Sequence, residues 1–337
     1  MDSKYLKKKF FKLAFVVNTF LKLLLGKKID TKEYDIFIVS LINLSKSNQV
    51  YEIITKKYDN KVHFLQNKTA TFLRRGYGAG VIHVYRKVQV DNSIFFEKTY
   101  RLNSQDYKRT TYFYRNIYTY LESIVPALEQ NIKGQKLAII YYKFVNLEPI
   151  DQKELFDLSI KYYDVYASLK LTKQIHEIDY YHDFSNDGHY LCGKNTIMRS
   201  FDNTRLYDEV YGFFHEVEEE IKKTTMLFQH GDLNVVNVCK NNYLIDWDNS
   251  GFYPMGYDLG LIFARRIKFL KMQNSIEGIN DFIKYHAQEF VSQRNVWLLK
   301  YFTIIFLIRF TSKNKNNNNN IQEIFKDLMS SNIKIAD

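Results

Sequence analysis

The feature that most constrains this chain is the segment HGDLNVVNVCKNNYLIDWD, which runs from His230 to Asp248. It places Asp232 and Asn237 in the pattern D-x-x-x-x-N and puts Asp246 directly after the short apolar run YLI, a predicted strand. This arrangement can bring three oxygen-bearing side chains to one point. Hard oxygen groups are the ligands that Mg²⁺ prefers, and Mg²⁺ takes only one or two protein carboxylates. The spacing alone leaves two interpretations open: a metal-binding catalytic loop, or turn residues with solvated carboxylates.

Two further features precede this segment. The run RRGYGAGVIHVYRK carries Gly76, Gly78 and Gly80 between two predicted strands. Glycines at such a turn let backbone N–H groups approach phosphates closely, although a β-turn also needs glycine for structural reasons. In the next predicted strand, FFEKTY, Lys98 lies among aromatic residues. Such a lysine either extends along the surface to reach water or, after a glycine hairpin and before a helix, binds the α- and β-phosphates of a nucleotide.

The order of predicted elements indicates an α+β chain with two lobes. Between residues 51 and 98, short β-rich runs alternate with turn residues, which predicts a strand meander that includes VHFL, residues 62–65. A helix is predicted over DYKRTTYFYRNIYTYLESIVPALEQ, ending near Pro126, and KLAIIYYKFV returns to a strand. Long helical stretches follow residue 151. We therefore expect a small β-rich lobe over residues 51–147 and a larger helical lobe over residues 148–337.

Residues 1–50 are expected to form a helical extension. The apolar run within residues 1–28 is interrupted by Lys12, Asn18 and Lys22, so it is too polar to span a membrane. On a helix, one arc collects polar residues and the opposite side collects apolar ones. These are Lys8, Lys12, Asn18, Thr19 and Lys22 against Leu13, Val17, Phe20, Leu21 and Leu24. Such a helix either lies in an anionic membrane interface or packs on the protein with its lysines in water.

The charge balance favours anionic partners. With 48 Lys and Arg against 37 Asp and Glu, the chain carries +11 and attracts nucleotides, phospholipid surfaces or acidic glycans. The sequence has no Cys/His zinc spacing and no RNA-recognition signature, so no nucleic-acid partner is expected. Cys192 and Cys239 are too few to indicate a disulfide scaffold. We expect a cytoplasmic protein, with peripheral contact at the inner membrane face if residues 1–28 bind lipid.

A glycine hairpin, a strand lysine, a helix, a strand, the Asp-x-x-x-x-Asn loop and a strand-terminal Asp follow one another in a defined order. In this order the sequence resembles the aminoglycoside phosphotransferase and choline kinase superfamily, which also includes lipopolysaccharide and capsule sugar kinases. The resemblance covers roughly residues 71–266 and is strongest at HGDLNVVN, LIDWD and GFYPMGYDLG. It implies a bilobal protein-kinase-like fold and ATP-dependent phosphotransfer to a hydroxyl of a sugar, amino alcohol or aminoglycoside. These motifs are specific to the superfamily and not to one substrate.

The resemblance also implies residue roles. Asp232 would be the catalytic Asp, which accepts or orients the proton of the acceptor hydroxyl. Asn237 and Asp246 would bind Mg²⁺, and Lys98 would bind the nucleotide phosphates. The loop over ATP would contain Gly76, Gly78 and Gly80.

Other positions would have supporting roles. His230 would support the catalytic loop, Asp258 would brace it through backbone hydrogen bonds, and backbone groups of residues 142–144 would meet adenine.

Two positions depart from the protein-kinase pattern. A kinase strand lysine pairs with a Glu on the following helix, yet here only Asp106 and Glu122 lie near that position, so one of these, an acid from elsewhere or no acid fills the role. Asp248 stands where protein kinases have Gly. Choline kinases and lipopolysaccharide sugar kinases also have an acid at this position, which makes Asp248 a candidate second metal contact. A pseudokinase or adaptor that keeps the fold without phosphotransfer is the alternative function.

Overall fold

A computed structural model shows two compact units, Met1–Asn146 and Leu147–Asp337, each described by itself. The structure describes residues 3–45, 47–74, 81–173, 184–202, 204–290, 295–311 and 318–331. Among these residues, no helix is long and apolar enough to span a membrane.

Unit 1 combines three N-terminal helices with an antiparallel sheet. The helices are α1 (Ser3–Leu24), α2 (Thr31–Ser45) and α3 (Asn48–Tyr58). The strands are β1 (Lys68–Arg74), β2 (Val81–Val90), β3 (Ser93–Arg101), β4 (Leu128–Lys133) and β5 (Leu137–Lys143), and α4 (Gln105–Asn116) follows β3. The five strands lie in the order β1-β2-β3-β5-β4, and every neighbouring pair is antiparallel.

The two faces of this sheet have different neighbours, because successive side chains of a strand point to opposite sides. In β5, Ile139 and Tyr141 are buried in one core with side chains of α1, α2 and α3. Ala138 and Ile140, which alternate with them, are buried on the other side with Tyr107 of α4. The N-terminal helices therefore share a hydrophobic core with one face of the sheet.

A buried ion pair lies within this shared core. Arg86 of β2 donates from Nε and Nη2 to the two carboxylate oxygens of Glu97 in β3, each at 2.7 Å, and both side chains are 0% exposed. Arg86 also donates from Nη1 to Glu52 of α3 at 2.8 Å, and Lys68 Nζ lies 3.2 Å from the same Glu52 oxygen. The pair thus joins two strands directly and ties α3 to the sheet.

From Leu13 onward, where its side chains are described, helix α1 packs on the protein along one side. Val16, Thr19 and Leu23 are buried, and Lys22 Nζ lies 2.7 Å from Glu33 of α2. Thr19 was expected on the polar arc, but it faces α2 and donates to the same Glu33 oxygen at 3.2 Å. The side chains of Lys8 and Lys12 lie outside the described part of the chain.

The apolar side of α1 remains open over the described residues. Leu13, Val17, Leu21 and Leu24 are 49–52% exposed, and Leu25, just after the helix, is 70% exposed. We call these five residues the apolar stripe.

Unit 2 is mainly helical. Its helices are α5 (Leu155–Ala167), α6 (Gly188–Ser200), α7 (Tyr207–Lys222), α8 (Tyr257–Phe269), α9 (Ile276–Phe290), α10 (Val296–Thr311) and α11 (Asn318–Ser330). A small antiparallel sheet contains β6 (Thr172–Lys173), β7 (Met226–Gln229) and β8 (Gly251–Pro254) in that order. Helix α10 is buried over most of its length and packs against α6 and α8.

Glycine allows α8 to approach α10 closely, and this gives a first prediction. A Cβ on Gly260 would lie 2.7 Å from Phe302 Cβ and 3.0 Å from Thr303 N. We therefore expect Gly260→Ala to lower the free energy of unfolding by about 1–3 kcal/mol through overpacking. Urea denaturation followed by circular dichroism measures this change.

The matched control is Gly212 in α7, because a Cβ there meets no atom within 4 Å. Gly212→Ala should raise stability by about 0.5–1 kcal/mol, since alanine favours a helix over glycine. If both variants shift stability in the same direction, the close approach of α8 and α10 does not control the effect.

The structure confirms the α+β class, with a β-rich sheet in unit 1 and a mainly helical unit 2. The predicted strand meander was wrong over its first part, because residues 51–58 belong to α3 and VHFL forms no strand. Val62 and Phe64 are buried in the core of unit 1, but residues 59–66 form turns and irregular backbone. The alternation of VHFL thus reflects burial of every second side chain without a neighbouring strand to pair with.

The predicted helix that follows β3 was too long. Helix α4 ends at Asn116, a short 3₁₀ turn covers Tyr118–Tyr120, and the LEQ residues begin β4. Tyr114 Oη donates to the backbone oxygen of Pro126 at 2.9 Å, which holds the returning chain against α4. The helical spacing of aromatic residues continues past Asn116 because Tyr118, in the 3₁₀ turn, stacks on Tyr114 of α4.

Candidate active site

The segment that begins at His230 lies between β7 and β8 in unit 2. Its first turn requires glycine, because Gly231 has φ +82° and an added Cβ would meet the backbone oxygen of Asn249 and lie 3.1 Å from Tyr253 Oη. The chain can thus turn sharply directly after β7 and place Asp232 at the start of a loop.

Asp258, in the first turn of α8, fixes this turn. Its carboxylate accepts the backbone N–H groups of His230 at 2.7 Å and Gly231 at 2.9 Å, together with the hydroxyl of Tyr166 at 2.5 Å. Burial raises the pKa of the Asp258 carboxyl above its usual value, while these hydrogen bonds oppose the shift. The expectation that Asp258 braces the loop through backbone hydrogen bonds is confirmed.

His230 ties the loop to the chain that precedes Asp246. The backbone N–H of Asp232 donates to His230 Nδ1 at 3.2 Å, so Nδ1 is an acceptor. Nε2 then carries the ring proton and donates to the backbone oxygen of Ile245 at 3.0 Å. The ring is fully buried, with its centroid 4.6 Å from that of Trp247.

Among the residues that the structure describes, the Asp232 carboxylate contacts the side chains of Arg265, His189 and Asn237. Its Oδ1 accepts from Arg265 Nη2 at 3.2 Å and lies 3.3 Å from His189 Nε2. Asn237 Nδ2 donates to Asp232 Oδ2 at 3.3 Å and to the Asp232 backbone oxygen at 2.9 Å. Burial lowers the pKa of the Arg265 guanidinium, and the Asp232 carboxylate opposes that shift. The structure thus brings Asp232 and Asn237 into direct contact.

Asn237 and Asp246 lie on two short paired segments. The backbone N–H of Ile245 donates to the backbone oxygen of Asn237 at 2.9 Å, and Val238 forms a β-bridge with Leu244. The predicted YLI strand is therefore only an isolated bridge. Asp246 has φ +66°, a left-handed conformation that is uncommon for residues other than glycine and is often found at functional sites.

The donor set of this hairpin fits Mg²⁺. Because the Asn237 amide nitrogen is held by Asp232, the amide oxygen of Asn237 is available as a hard ligand, and Asp246 adds a carboxylate. Asp248 is buried nearby in sequence, within the 3₁₀ turn Trp247–Asn249. The residues that the structure describes contain no cluster of three or more His, Cys, Asp or Glu arranged to hold a metal.

Lys98 belongs to unit 1. It lies on β3 opposite Tyr85 and Ile140, is 4% exposed, and its Nζ is 5.3 Å from the ring centroids of Tyr85 and Tyr100. It points to the face opposite that of Glu97, its neighbour in sequence. Gly76, Gly78 and Gly80 lie outside the described residues.

Sequence reasoning missed Arg265 and His189. Arg265 is seven residues after Asp258, so both side chains lie on the same face of α8, and Asp258 contacts the loop that contains Asp232. This i, i+7 spacing was a usable signal. His189, in the first turn of α6, had no comparable signal because its approach to Asp232 depends on how α6 packs.

No protein-family model matches this chain, and no curated protein matches it. Solved structures are similar to it over most of their length. A microcompartment-associated aminopropanol kinase is 12% identical, with a TM-score of 0.48 over 82% of this chain and 94% of that chain. A choline kinase from Cryptosporidium parvum is 16% identical, with a TM-score of 0.45 over 82% and 96%.

Spectinomycin phosphotransferase, solved with ADP and spectinomycin, is 16% identical, with a TM-score of 0.40 over 80% of this chain and 93% of that chain. The solved structures to which this chain is similar include an aminopropanol kinase, a choline kinase and an antibiotic phosphotransferase.

Proposed function

We propose that this protein is an ATP-dependent phosphotransferase that moves the γ-phosphate of ATP to a hydroxyl of a small molecule or glycan. The observation that carries the proposal is the loop after β7, in which Asp258 fixes the backbone and Asn237 holds Asp232. An aspartate held in this way can orient an acceptor hydroxyl and accept its proton. Such positioning of the reacting groups is a large part of what a protein contributes to phosphoryl transfer.

The other proposed roles follow from the chemistry of each side chain. Asn237 and Asp246 would hold Mg²⁺, which when bound neutralises charge on the nucleotide phosphates. Lys98 would contact the phosphates from β3, and Gly76, Gly78 and Gly80 would supply backbone N–H groups to them. Asp232 would orient the acceptor hydroxyl.

Two measurements test this proposal. Isothermal titration with Mg·ATP should show nucleotide binding, and ADP release should depend on an added acceptor. The acceptor panel contains spectinomycin and kanamycin, choline, ethanolamine and aminopropanol, and neutral and acidic sugars. Nucleotide binding without ADP release from any acceptor would favour the pseudokinase alternative, and failure to bind Mg·ATP would overturn the proposed function.

We also propose a peripheral contact between unit 1 and an anionic membrane. The apolar stripe, from Leu13 to Leu25, is exposed along one side of α1, and Lys27 and Lys28 are exposed directly after it. A helix that exposes apolar side chains beside lysines can insert shallowly among anionic lipids. The opposite side of α1 packs on α2 and α3, so the helix need not leave the protein to reach lipid.

Replacing Val17 and Leu21 together with Ser should reduce partitioning onto phosphatidylglycerol vesicles by about tenfold, because two apolar side chains no longer enter the lipid. Vesicle cosedimentation at low and high salt measures the change. Ile53→Ser is the control, since Ile53 is 61% exposed on α3 outside the apolar stripe. Equal binding of the double variant and the unaltered protein would contradict the contact.

A further inference from the structure

Three basic side chains, Arg265, Lys268 and Arg309, surround the Phe310 ring, and Arg265 also contacts Asp232. Arg265 reaches the Asp232 carboxylate at 3.2 Å and its guanidinium carbon is 4.9 Å from the ring centroid of Phe310. Around the same ring, the guanidinium carbon of Arg309 is 5.3 Å and Lys268 Nζ is 6.0 Å from the centroid. We call Arg265, Lys268 and Arg309 the basic cluster.

Three helices assemble this site. Arg265 and Lys268 extend from the last two turns of α8, and Arg309 and Phe310 end α10. The two helices approach closely through Gly260, so their C-terminal ends meet. His189 of α6 reaches the same Asp232 oxygen from another side at 3.3 Å, and its ring is 6.4 Å from that of Phe306.

Among the described residues, the acids whose charge acts on Arg265 or Arg309 are Asp232, Asp258 and Asp187. Asp258 accepts two backbone N–H groups and the Tyr166 hydroxyl, and Asp187 accepts the backbone N–H of His189 and the Tyr257 hydroxyl. Both carboxylates are thus already engaged in structural hydrogen bonds. Asp232 accepts a hydrogen bond from Arg265 of the cluster.

Arg265 retains donor capacity. A guanidinium has five N–H donors, and among the described residues the hydrogen-bond acceptor of Arg265 is Asp232 alone. A planar guanidinium matches a carboxylate or phosphate through two parallel hydrogen bonds. By contrast, an ammonium group brought to Asp232 would meet a fixed positive charge 3.2 Å from the same carboxylate.

We propose that the basic cluster binds an anionic group, a carboxylate or a phosphate, on the acceptor whose hydroxyl Asp232 orients. This inference rests on the proposed phosphotransferase function and narrows it to acidic acceptors. Arg265 would contact the anion and the Asp232 carboxylate at the same time. Binding of the acceptor would therefore also place its hydroxyl beside that carboxylate.

The test compares acceptors that share one ring and differ in charge: glucose, glucosamine, glucuronate and glucose 6-phosphate. Their affinities are measured by isothermal titration with Mg²⁺ and a non-hydrolysable ATP analogue present, so that sugar phosphates do not compete for the nucleotide site. We expect glucuronate or glucose 6-phosphate to bind about tenfold or more tightly than glucose and glucosamine, as charge-assisted bidentate contacts provide. Tighter binding of glucuronate would indicate a carboxylate site, and tighter binding of glucose 6-phosphate would indicate a phosphate site.

The variant Arg265→Gln should remove this preference for acids. Arg265→Lys keeps the positive charge but loses the two parallel donors of the guanidinium, so it should retain part of the preference. Arg205→Gln is the matched control, because Arg205 is exposed before α7. Thermal unfolding establishes that each variant is folded. If glucose, glucosamine and the two acids bind with equal affinity, or glucosamine binds most tightly, the inference is wrong.

A purely positioning role for Arg265 gives a different result. Arg265→Gln would then lower kcat by the same factor for every acceptor and leave the order of their KM values unchanged, which also overturns the inference. Failure of the proposed function itself is recognised separately, by loss of Mg·ATP binding or of ADP release. The charge preference is measured with the ATP analogue and needs no turnover.

Discussion

Asp232→Asn is expected to abolish turnover and leave nucleotide binding in place. The asparagine side chain has nearly the same shape and keeps an oxygen for Arg265, but it replaces the acceptor of the weaker Asn237 hydrogen bond and cannot accept the proton of an acceptor hydroxyl. Loss of a general base lowers kcat by about 100- to 10,000-fold. Coupled measurement of ADP release gives kcat, and isothermal titration with Mg·ATP gives the affinity.

The control for this variant is Asp281→Asn, which makes the same charge change at an exposed position on α9. It should keep kcat within about twofold, as most surface substitutions do. Retained turnover by a folded Asp232→Asn protein would remove Asp232 from the proposed mechanism. Loss of both turnover and nucleotide binding would instead indicate that the loop had lost its structure.

Arg86→Met is expected to destabilise the protein more than any other single change discussed. It leaves the Glu97 carboxylate fully buried without the bidentate partner that now contacts it at 2.7 Å. Removing one member of a buried ion pair costs about 3–5 kcal/mol, because the remaining charge keeps its desolvation penalty. Urea denaturation followed by far-ultraviolet circular dichroism measures the loss.

A second variant separates the charge effect from simple loss of packing. Arg86→Met combined with Glu97→Leu removes both charges and should recover most of the stability, since an apolar pair needs no compensation for desolvation. Arg115→Met, at an exposed position on α4, should change stability by no more than about 0.5 kcal/mol. A double variant as unstable as Arg86→Met would show that the charge of Glu97 is not the cause.

Much of the fold could be predicted because its signals are local. The β-rich runs that became β1, β2, β3 and β5, and the long helical stretches after residue 151 that became α5, α7, α9 and α10, each depend on residues a few positions apart. The errors arose where a local pattern had two physical causes. In VHFL, alternate burial occurs without strand pairing, and after Asn116 the aromatic spacing continues through a turn.

The candidate site divides in the same way. The motif spacing singled out Asp232, Asn237 and Asp246, and the family resemblance added Asp258. The structure joins Asp232 to Asn237 and Asp258 to the loop backbone. The catalytic and metal-binding roles of the first three stay proposals. Arg265 and His189 reach Asp232 from α8 and α6, and no short sequence pattern relates His189 to that loop.

The sequence by itself determined the α+β class, the order of the main elements and the short loop in which Asp232 and Asn237 meet, because these depend on neighbouring residues. Tertiary structure alone decided which charges meet across the fold. Arg86 pairs with Glu97 because register places β2 beside β3, and Arg265 and His189 meet at Asp232 because α6 and α8 both pack against α10. Electrostatic interactions depend on distance in space, and helix packing sets those distances.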